Sequence, residues 1–124
     1  MKLTLLGGGG FRVPLMFRTL LADQSDRRVT ELRLWDTDAG RLAVIRSILQ
    51  AMAQDHPKAP EVQVARDLEE AVTGTDFVFS AIRVGGTEGR ATEETIAHCC
   101  EVLGQETTGF GGLNYALRGI PTAL

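Results

Sequence analysis

The sequence predicts an α/β fold: a doubly wound parallel sheet in three α/β/α layers, of which the chain carries the first half. Two observations support this prediction. Short apolar runs alternate with longer segments of helical periodicity, an order that favours parallel strands joined by right-handed crossovers. The first apolar run, residues 3–6, leads directly into four consecutive glycines at positions 7–10. A glycine-rich turn between a strand and a helix is typical of doubly wound sheets that bind an anion at the helix N-terminus.

Each element follows from its apolar pattern and from the residues at its ends. The predicted strands are residues 3–6, 31–35, 62–65 and 77–82, and the predicted helices are residues 13–22, 39–54, 68–72 and 93–102, with a further helix starting at Leu113. Pro14 suits the first turn of a helix, where its missing N–H costs nothing. Asp38 is a suitable N-cap for the second helix. The buried stripe predicted for that helix consists of Leu42, Ile45, Ile48, Leu49 and Met52.

Composition narrows the class of protein. The chain has 124 residues, 44% of them hydrophobic and 23% charged, which is the composition of one globular domain over residues 1–124. Its net charge of −3 is spread along the chain, so we expect neither nucleic acid nor a membrane surface as a partner. Cys99 and Cys100 are adjacent, which suits neither a structural disulfide nor a metal site. This arrangement indicates a reducing compartment, so we expect a cytoplasmic location.

The glycines at 7–10 form an incomplete dinucleotide fingerprint. The motif G-x-G-x-x-G is matched at its first two glycines, but Arg12 or Val13 stands at the third. Asp36 ends the second predicted strand, where an acidic residue accepts hydrogen bonds from the adenosine ribose and repels a 2′-phosphate. The combination predicts a Rossmann domain that binds NAD in preference to NADP. The alternative is a tight turn followed by a solvated aspartate.

Two later segments also favour a site. Residues 82–90 leave the fourth predicted strand with Arg83 and Arg90 among three glycines, and guanidinium groups suit phosphate or vicinal oxygens. Residues 104–112 form a second polar, glycine-rich loop. The alternatives are solvated arginines and a structural turn.

The remaining candidate side chains are interpreted as structural. His56 and His98 have no carboxylate or histidine at ligand spacing and are expected on the surface. Cys99 and Cys100 are expected to be one buried and one half-exposed thiol rather than catalytic groups.

These motifs, in this order, resemble the amino-terminal part of glycoside hydrolase family 4, the NAD- and manganese-dependent 6-phospho-glycosidases. The resemblance covers practically the whole chain, and its carriers are residues 5–10 with Pro14, residues 34–36, residues 74–78, residues 83–86 with Arg90, and residues 104–112. It implies an enzyme, similar to a 6-phospho-β-glucosidase, that cleaves a phosphorylated disaccharide or glycoside. In such enzymes NAD oxidises carbon 3 of the sugar, the aglycone is eliminated, water adds, and the ketone is reduced again. α-Glucoside and galactoside specificity remain open.

The resemblance also implies roles for individual residues. The pyrophosphate would be held by Gly8, Gly9, Gly10 and Phe11, the ribose by Asp36, and the cofactor's edge by Ala81, Ile82 and Arg83. Arg90 matches the arginine that contacts the phosphorylated sugar, and Glu106 lies in the loop that lines the site. The sequence departs from the family at Gly10, where serine is frequent, and at Phe110, where proline is frequent.

No catalytic residue and no metal ligand is predicted within the chain. In the family, the metal-binding cysteine and histidine and the tyrosine base belong to the part that would follow Leu124. We therefore expect an amino-terminal fragment of a longer, homo-oligomeric enzyme, inactive as a glycosidase on its own. The alternatives are a domain of an NAD-dependent 2-hydroxy acid dehydrogenase and a non-catalytic NAD-sensing module.

Overall fold

A computed structural model describes residues 1–106 and 108–123 of the chain. The chain divides into two compact units, Met1–Ile82 and Arg83–Leu124. Thr107, which belongs to the predicted loop 104–112, and Leu124 lie outside the described residues.

The first unit is a four-stranded parallel sheet with three helices. Its elements are β1 (Lys2–Leu6), α1 (Val13–Ala22), β2 (Glu31–Trp35), α2 (Ala39–Ala53), β3 (Glu61–Val64), α3 (Leu68–Val72) and β4 (Phe77–Ser80). Every element predicted before residue 82 is present, with its ends shifted by at most two residues. The strand order is β3-β2-β1-β4, with Leu5 of β1 in register with Leu34 of β2 and Phe79 of β4. This is the order of the first half of a Rossmann sheet, so the predicted fold class is confirmed.

The core lies on one face of the sheet, under α1 and α2. Alternation along β1 and β2 directs Leu5, Leu32 and Leu34 to this face, where they meet Phe17 of α1 and Leu49 of α2. All five side chains are at most 1% exposed. Each contributes about 1.5–3 kcal/mol by leaving water, which makes this face the main source of stability.

The stripe predicted for α2 is wrong at one position. Leu42, Ile45 and Leu49 are buried, but Ile48 is 40% exposed. Residues 45 and 49 are one helical turn apart and face the sheet together, whereas residue 48 is rotated toward the edge of that stripe.

The opposite face of the sheet is polar and is covered by the short helix α3. The Thr4 hydroxyl donates to the carbonyl of Ala71 at 2.5 Å. Arg33 Nη1 donates to the carbonyls of Glu70 at 2.7 Å and Thr73 at 2.9 Å. A five-residue helix reaches only part of a four-stranded sheet. Phe77, Val78 and Phe79 of β4 are 47–60% exposed.

Glu31 of β2 pairs with two cations, one on β2 itself and one on the neighbouring strand β1. It pairs with Lys2 Nζ at 3.1 Å and with Arg33 Nη2 at 2.7 Å. Burial acts to raise the pKa of the Glu31 carboxyl, but the hydrogen bonds from Lys2 and Arg33 outweigh it, so the pKa lies below its ordinary value.

The second unit contains two helices, α4 (Gly86–Cys99) and α5 (Gly109–Ala123), which pack against each other. The sequence predicted these helices at residues 93–102 and from Leu113, and both predictions are wrong at their ends. The first turns of α4 are polar and lack an apolar stripe, so the sequence pattern does not indicate that the helix begins at Gly86. Glu101, with φ of 56°, ends α4 in the left-handed conformation before residue 102.

A buried ion pair joins the two helices of the second unit. Glu93 of α4 is 5% exposed, and its Oε1 lies 2.8 Å from Arg118 Nη2 of α5. A Cβ on Gly85 would lie 2.9 Å from the Arg118 guanidinium carbon, so glycine makes room for this side chain.

Among the helices of the described residues, none is long and apolar enough to cross a membrane.

Candidate functional site

Backbone hydrogen bonds hold the turn after β1 in place. We call residues 7–11 the glycine loop. The N–H groups of Gly7 and Gly8 both donate to the carbonyl of Trp35 at 2.9 Å, and the N–H of Gly10 donates to the carbonyl of Gly7 at 3.1 Å. The loop is thereby fixed to the end of β2.

The glycine loop tolerates no side chain at its first positions. Gly7 has φ of 88°, and a Cβ there would lie 2.8 Å from the carbonyl oxygen of Ala81. A Cβ on Gly8 would lie 2.9 Å from the Leu34 Cβ. Gly10 is less constrained, because a Cβ there would meet only the Gly7 oxygen at 3.2 Å and a methyl of Val13 at 3.9 Å. The backbone of this turn is therefore bare where it passes the ends of β2 and β4.

Asp36 ties the glycine loop to the segment after β2. Its Oδ2 accepts a hydrogen bond from the N–H of Gly9 at 2.8 Å, and its Oδ1 accepts one from the N–H of Asp38 at 3.0 Å. Each carboxylate oxygen can accept a second hydrogen bond. The residue predicted to hold a ribose is thus half-buried beside the loop, and it also orders that loop.

The donors open to an anion lie just after the glycines. The N–H groups of Phe11 and Arg12 have no hydrogen-bond partner among residues 1–106 and 108–123, and α1 has no side-chain cap. The Phe11 side chain is 80% exposed, with the Arg12 guanidinium 5.3 Å from its ring centre. Unpaired N–H groups at the start of a helix attract phosphate. The N–H groups of the glycines themselves are used within the protein.

Two further predicted residues, Ala81 and Ile82, follow β4. The N–H of Ala81 donates to the carbonyl of Leu6 at 2.8 Å, which places its carbonyl beside Gly7. The structure thus brings Ala81 and the glycine loop together at the carboxyl end of β1 and β4.

An apolar cleft of about 560 Å³ adjoins the glycine loop on the side of α2. It is lined by Gly9, Gly10, Phe11, Gly40, Arg41, Val44 and Ile45. The sequence reasoning missed Arg41 and Val44 here. Val44 is an exposed apolar residue on a helix. Such residues are common on protein surfaces, so this property alone does not indicate a binding site.

In the second unit, two predicted arginines meet one predicted carboxylate. Arg83 Nη1 lies 2.6 Å from Glu106 Oε1, and Arg90 Nη1 lies 3.2 Å from Glu106 Oε2. Arg90 Nε also lies 2.6 Å from Glu94 Oε1. The hydrogen bond to Glu94, followed by the charges of Glu106 and Glu94, raises the pKa of Arg90 above its already high ordinary value. We call Arg83, Arg90, Glu94 and Glu106 the arginine cluster.

Part of the segment that carries this cluster is helical, not a loop. Arg90 lies in α4, whose first residue is Gly86 after a left-handed Gly85 with φ of 78°. The predicted loop 104–112 ends where α5 begins, at Gly109.

The histidines and cysteines lie on the surface. His56 and His98 are exposed, as predicted. Cys99 and Cys100 are both free and exposed, so the prediction that one of them is buried is wrong. They follow Ala97, the buried position at the end of α4, and therefore turn toward solvent.

Comparison with known proteins gives consistent results. A family model described as family 4 glycosyl hydrolase matches residues 2–124. The 6-phospho-beta-glucosidase of Thermotoga maritima is 31% identical over 121 residues, covering 98% of this chain and 28% of that protein. The 6-phospho-alpha-glucosidase 1 of Lacticaseibacillus paracasei is 38% identical over 117 residues, covering 93% of this chain and 26% of that protein.

Solved structures agree with these relatives. The Thermotoga maritima 6-phospho-beta-glucosidase, solved with NAD and glucose-6-phosphate, superimposes with a TM-score of 0.90 at 30% identity and covers 99% of this chain and 29% of its own. A 6-phospho-alpha-glucosidase from gut microorganisms in complex with NAD and Mn²⁺ gives a TM-score of 0.87 at 28% identity, over 98% of this chain and 28% of its own. The chain therefore spans little more than a quarter of the length of these proteins.

Proposed function

The chain belongs to glycosyl hydrolase family 4, and we propose that it is the NAD-binding part of a 6-phospho-glucosidase. In this proposal Gly8, Gly9 and Gly10 shape the turn around the pyrophosphate, and the N–H groups of Phe11 and Arg12 donate to it. Asp36 holds the adenosine ribose, while Ala81, Ile82 and Arg83 border the cofactor. Arg90 and Glu106 serve the phosphorylated sugar.

The observation that carries the proposal is the form of the glycine loop. Glycine at positions 7 and 8 lets the loop pack against Leu34 and the Ala81 carbonyl, where a Cβ would clash, and hydrogen bonds to the Trp35 carbonyl fix the loop there. The two unpartnered N–H groups at Phe11 and Arg12 suit a pyrophosphate, and the carboxylate of Asp36 has capacity for a ribose hydroxyl. The residues present therefore fit a dinucleotide.

The bound dinucleotide would supply reversible removal of hydride from carbon 3 of the sugar, which acidifies the neighbouring C–H. The residues of this chain bind and orient. The glycine loop fixes the pyrophosphate, and Asp36 fixes the ribose, so that the reactive end of the cofactor has a defined position. The negative charge of Asp36 disfavours a 2′-phosphate, which makes NAD the preferred cofactor over NADP.

No metal ligand is assigned to this chain. In the part of the chain that the structure describes, no three His, Cys, Asp or Glu side chains come together in a way that would hold a metal ion. The described residues therefore offer no manganese site of their own.

The proposed substrate is a 6-phospho-glucoside, with the β-anomer as the first choice. The β-anomer comes first on the resemblance of the motifs alone, because the β-glucosidase structure superimposes with a TM-score of 0.90 against 0.87, whereas the α-glucosidase relative is 38% identical against 31%. Relatives of both kinds align over nearly the whole chain, so both anomers belong in the assay. A cytoplasmic location and a homo-oligomeric longer enzyme complete the proposal.

Calorimetric titration of the 124-residue chain with NAD and with NADP tests the proposal. We expect saturable binding of NAD and at least about tenfold weaker binding of NADP, a difference of about 1.4 kcal/mol. The same chain should not hydrolyse chromogenic 6-phospho-β-glucosides or 6-phospho-α-glucosides, with or without manganese. Turnover by this chain, or a preference for NADP, would contradict the proposal.

A further inference from the structure

Two side chains of opposite charge, Arg41 and Asp36, meet the glycine loop at Gly9. Arg41 lies in the first turn of α2. A Cβ on Gly9 would lie 2.9 Å from the Arg41 Cβ and 3.0 Å from Asp36 Oδ2, so the two side chains approach the same point of the loop. A cation therefore stands beside the carboxylate to which the adenosine ribose is assigned.

The Arg41 side chain is paired with Asp38, the N-cap of α2. Arg41 Nε lies 3.2 Å from Asp38 Oδ2, and Asp38 Oδ1 accepts a hydrogen bond from the Arg41 N–H at 2.9 Å. Asp38 in turn donates its own N–H to Asp36 Oδ1 at 3.0 Å. The three residues are thus connected to one another, and we call them the acid–arginine triad.

The ion pair within the acid–arginine triad is easily released. The Arg41 side chain is 77% exposed and the Asp38 side chain is 50% exposed. Exposed ion pairs contribute little to stability, because water solvates both partners. A guanidinium group matches the geometry of phosphate oxygens, and a phosphate monoester carries more negative charge than a carboxylate. A phosphate within reach of Arg41 therefore competes well with Asp38.

A second arginine near the end of β2 is not available for such a contact. Arg33 Nη1 donates to the carbonyls of Glu70 and Thr73, and its Nη2 pairs with Glu31. Arg41, in contrast, borders an open cleft of about 560 Å³ together with the glycine loop. Its guanidinium group therefore has room to turn toward a ligand at that loop.

We propose that Arg41 is a second determinant of the choice between NAD and NADP, and that it opposes Asp36. The Asp36 carboxylate repels a 2′-phosphate, whereas the Arg41 guanidinium attracts one. Asp38 is a positioning residue, because it holds the guanidinium in an ion pair and so weakens the attraction for a 2′-phosphate. The inference deepens the proposed function and rests on it in one respect, the placement of the adenosine ribose beside Asp36.

The test is calorimetric titration of the 124-residue chain and its variants with NAD and with NADP. Asp38→Asn keeps the side-chain oxygen that caps α2 but removes the charge that holds Arg41. We expect NADP to bind about two- to fivefold more tightly to this variant, with NAD affinity changed by less than about twofold. Arg41→Gln should weaken NADP binding by about three- to tenfold and leave NAD affinity within the same limit, which shows that the site is intact.

A double variant separates the role of Arg41 from a simple change of charge. In the Arg41→Gln background, Asp38→Asn should no longer raise NADP affinity, because the side chain that it releases is gone. Arg46→Gln is the matched control for Arg41, since it removes a positive charge from an exposed position of the same helix. Asp67→Asn is the matched control for Asp38, as the N-cap of α3. Both controls should leave the ratio of NADP to NAD affinity unchanged.

NMR spectroscopy adds a readout at the residue itself. The Nε–H signal of Arg41 in ¹⁵N spectra should shift further on saturation with NADP than on saturation with NAD. Equal shifts would overturn the inference.

The titrations also separate this inference from the proposed function. If NAD binds but neither single variant changes the ratio of NADP to NAD affinity, the inference is overturned and the proposed function stands. The same holds if the gain from Asp38→Asn persists in the double variant. If neither dinucleotide binds the unmodified chain, the proposed function and this inference are overturned together.

Discussion

Replacing Asp36 with alanine perturbs the glycine loop and the ribose position together. Asp36 accepts hydrogen bonds from the N–H groups of Gly9 and Asp38, at 2.8 Å and 3.0 Å. A hydrogen bond to a charged acceptor contributes about 1.5–3 kcal/mol, but Asp36 is half-buried and water compensates part of the loss. We therefore expect Asp36→Ala to lower the free energy of unfolding by about 2–3 kcal/mol.

We expect Asp36→Ala to weaken NAD binding more than loosening of the glycine loop alone would. The variant loses the proposed acceptor for the ribose and loosens the loop that holds the pyrophosphate. We expect NAD affinity to fall by about 10- to 100-fold, since each factor of ten corresponds to about 1.4 kcal/mol. Urea unfolding followed by the fluorescence of Trp35, the single tryptophan, gives the stability, and calorimetry gives the affinity.

Asp67→Ala is the matched control for this experiment. Asp67 also accepts a hydrogen bond from a backbone N–H, that of Glu70 at 2.7 Å, as the N-cap of α3. Its loss should cost about 1 kcal/mol of stability and leave NAD affinity unchanged. If Asp36→Ala keeps both the stability and the NAD affinity of the unmodified chain, the assigned role of Asp36 is wrong.

Three further predictions concern stability. Gly7→Ala should cost about 2–5 kcal/mol in urea unfolding, from the left-handed backbone and the close Ala81 carbonyl, whereas Gly40→Ala at the start of α2 should be neutral or slightly stabilising; equal effects would contradict this. Because the folded-state pKa of Glu31 is depressed, its contribution is complete above the unfolded pKa of about 4.3 and is lost as pH falls through the folded value, so Glu31→Gln should flatten the acid limb of stability against pH; an unchanged limb would refute this. Arg118→Met should leave the buried Glu93 carboxylate uncompensated and reduce helical circular dichroism on mild heating, and adding Glu93→Leu should restore it; a double variant no better than the single one would argue against a buried pair.

The first unit could be predicted from the sequence because its elements carry strong local signals. Leu3 to Leu6 is a short apolar segment followed by glycine, and Glu31–Trp35 alternates apolar and charged residues before an aspartate. α1 begins at Val13, directly before Pro14, and α2 begins after Asp38. Apolar periodicity fixes the face that is buried in such elements. The exception is local: Ile48 lies at the edge of its stripe and is 40% exposed.

The second unit was harder to predict because tertiary contacts determine its helices. The first turns of α4 contain glycine, threonine and charged residues, which are typical of a loop in isolation. The ion pair between Glu93 and Arg118 links α4 to α5, and no sequence pattern predicts a contact between residues so far apart. For the same reason, the sequence named Arg83, Arg90 and Glu106 as candidates but gave no sign that one carboxylate bridges both arginines.

Residue types alone predicted the candidate site in the first unit, but they did not predict its hydrogen bonds. Glycines at 7–10 and an acid at the end of β2 predict a dinucleotide from chemistry alone. Only the structure shows that the N–H groups of Gly7 and Gly8 serve Trp35, so that the donors left for a phosphate belong to Phe11 and Arg12.

The central claim is that the glycine loop binds the pyrophosphate of NAD. A titration of the ¹⁵N-labelled chain with NAD, followed through its amide NMR signals, tests it most directly. We predict saturable shifts concentrated at the amides of Gly8, Gly9, Gly10, Phe11 and Arg12, with smaller shifts at Ala81 and Ile82. Shifts that leave residues 8–12 unchanged, or no shift at millimolar NAD, would contradict the claim.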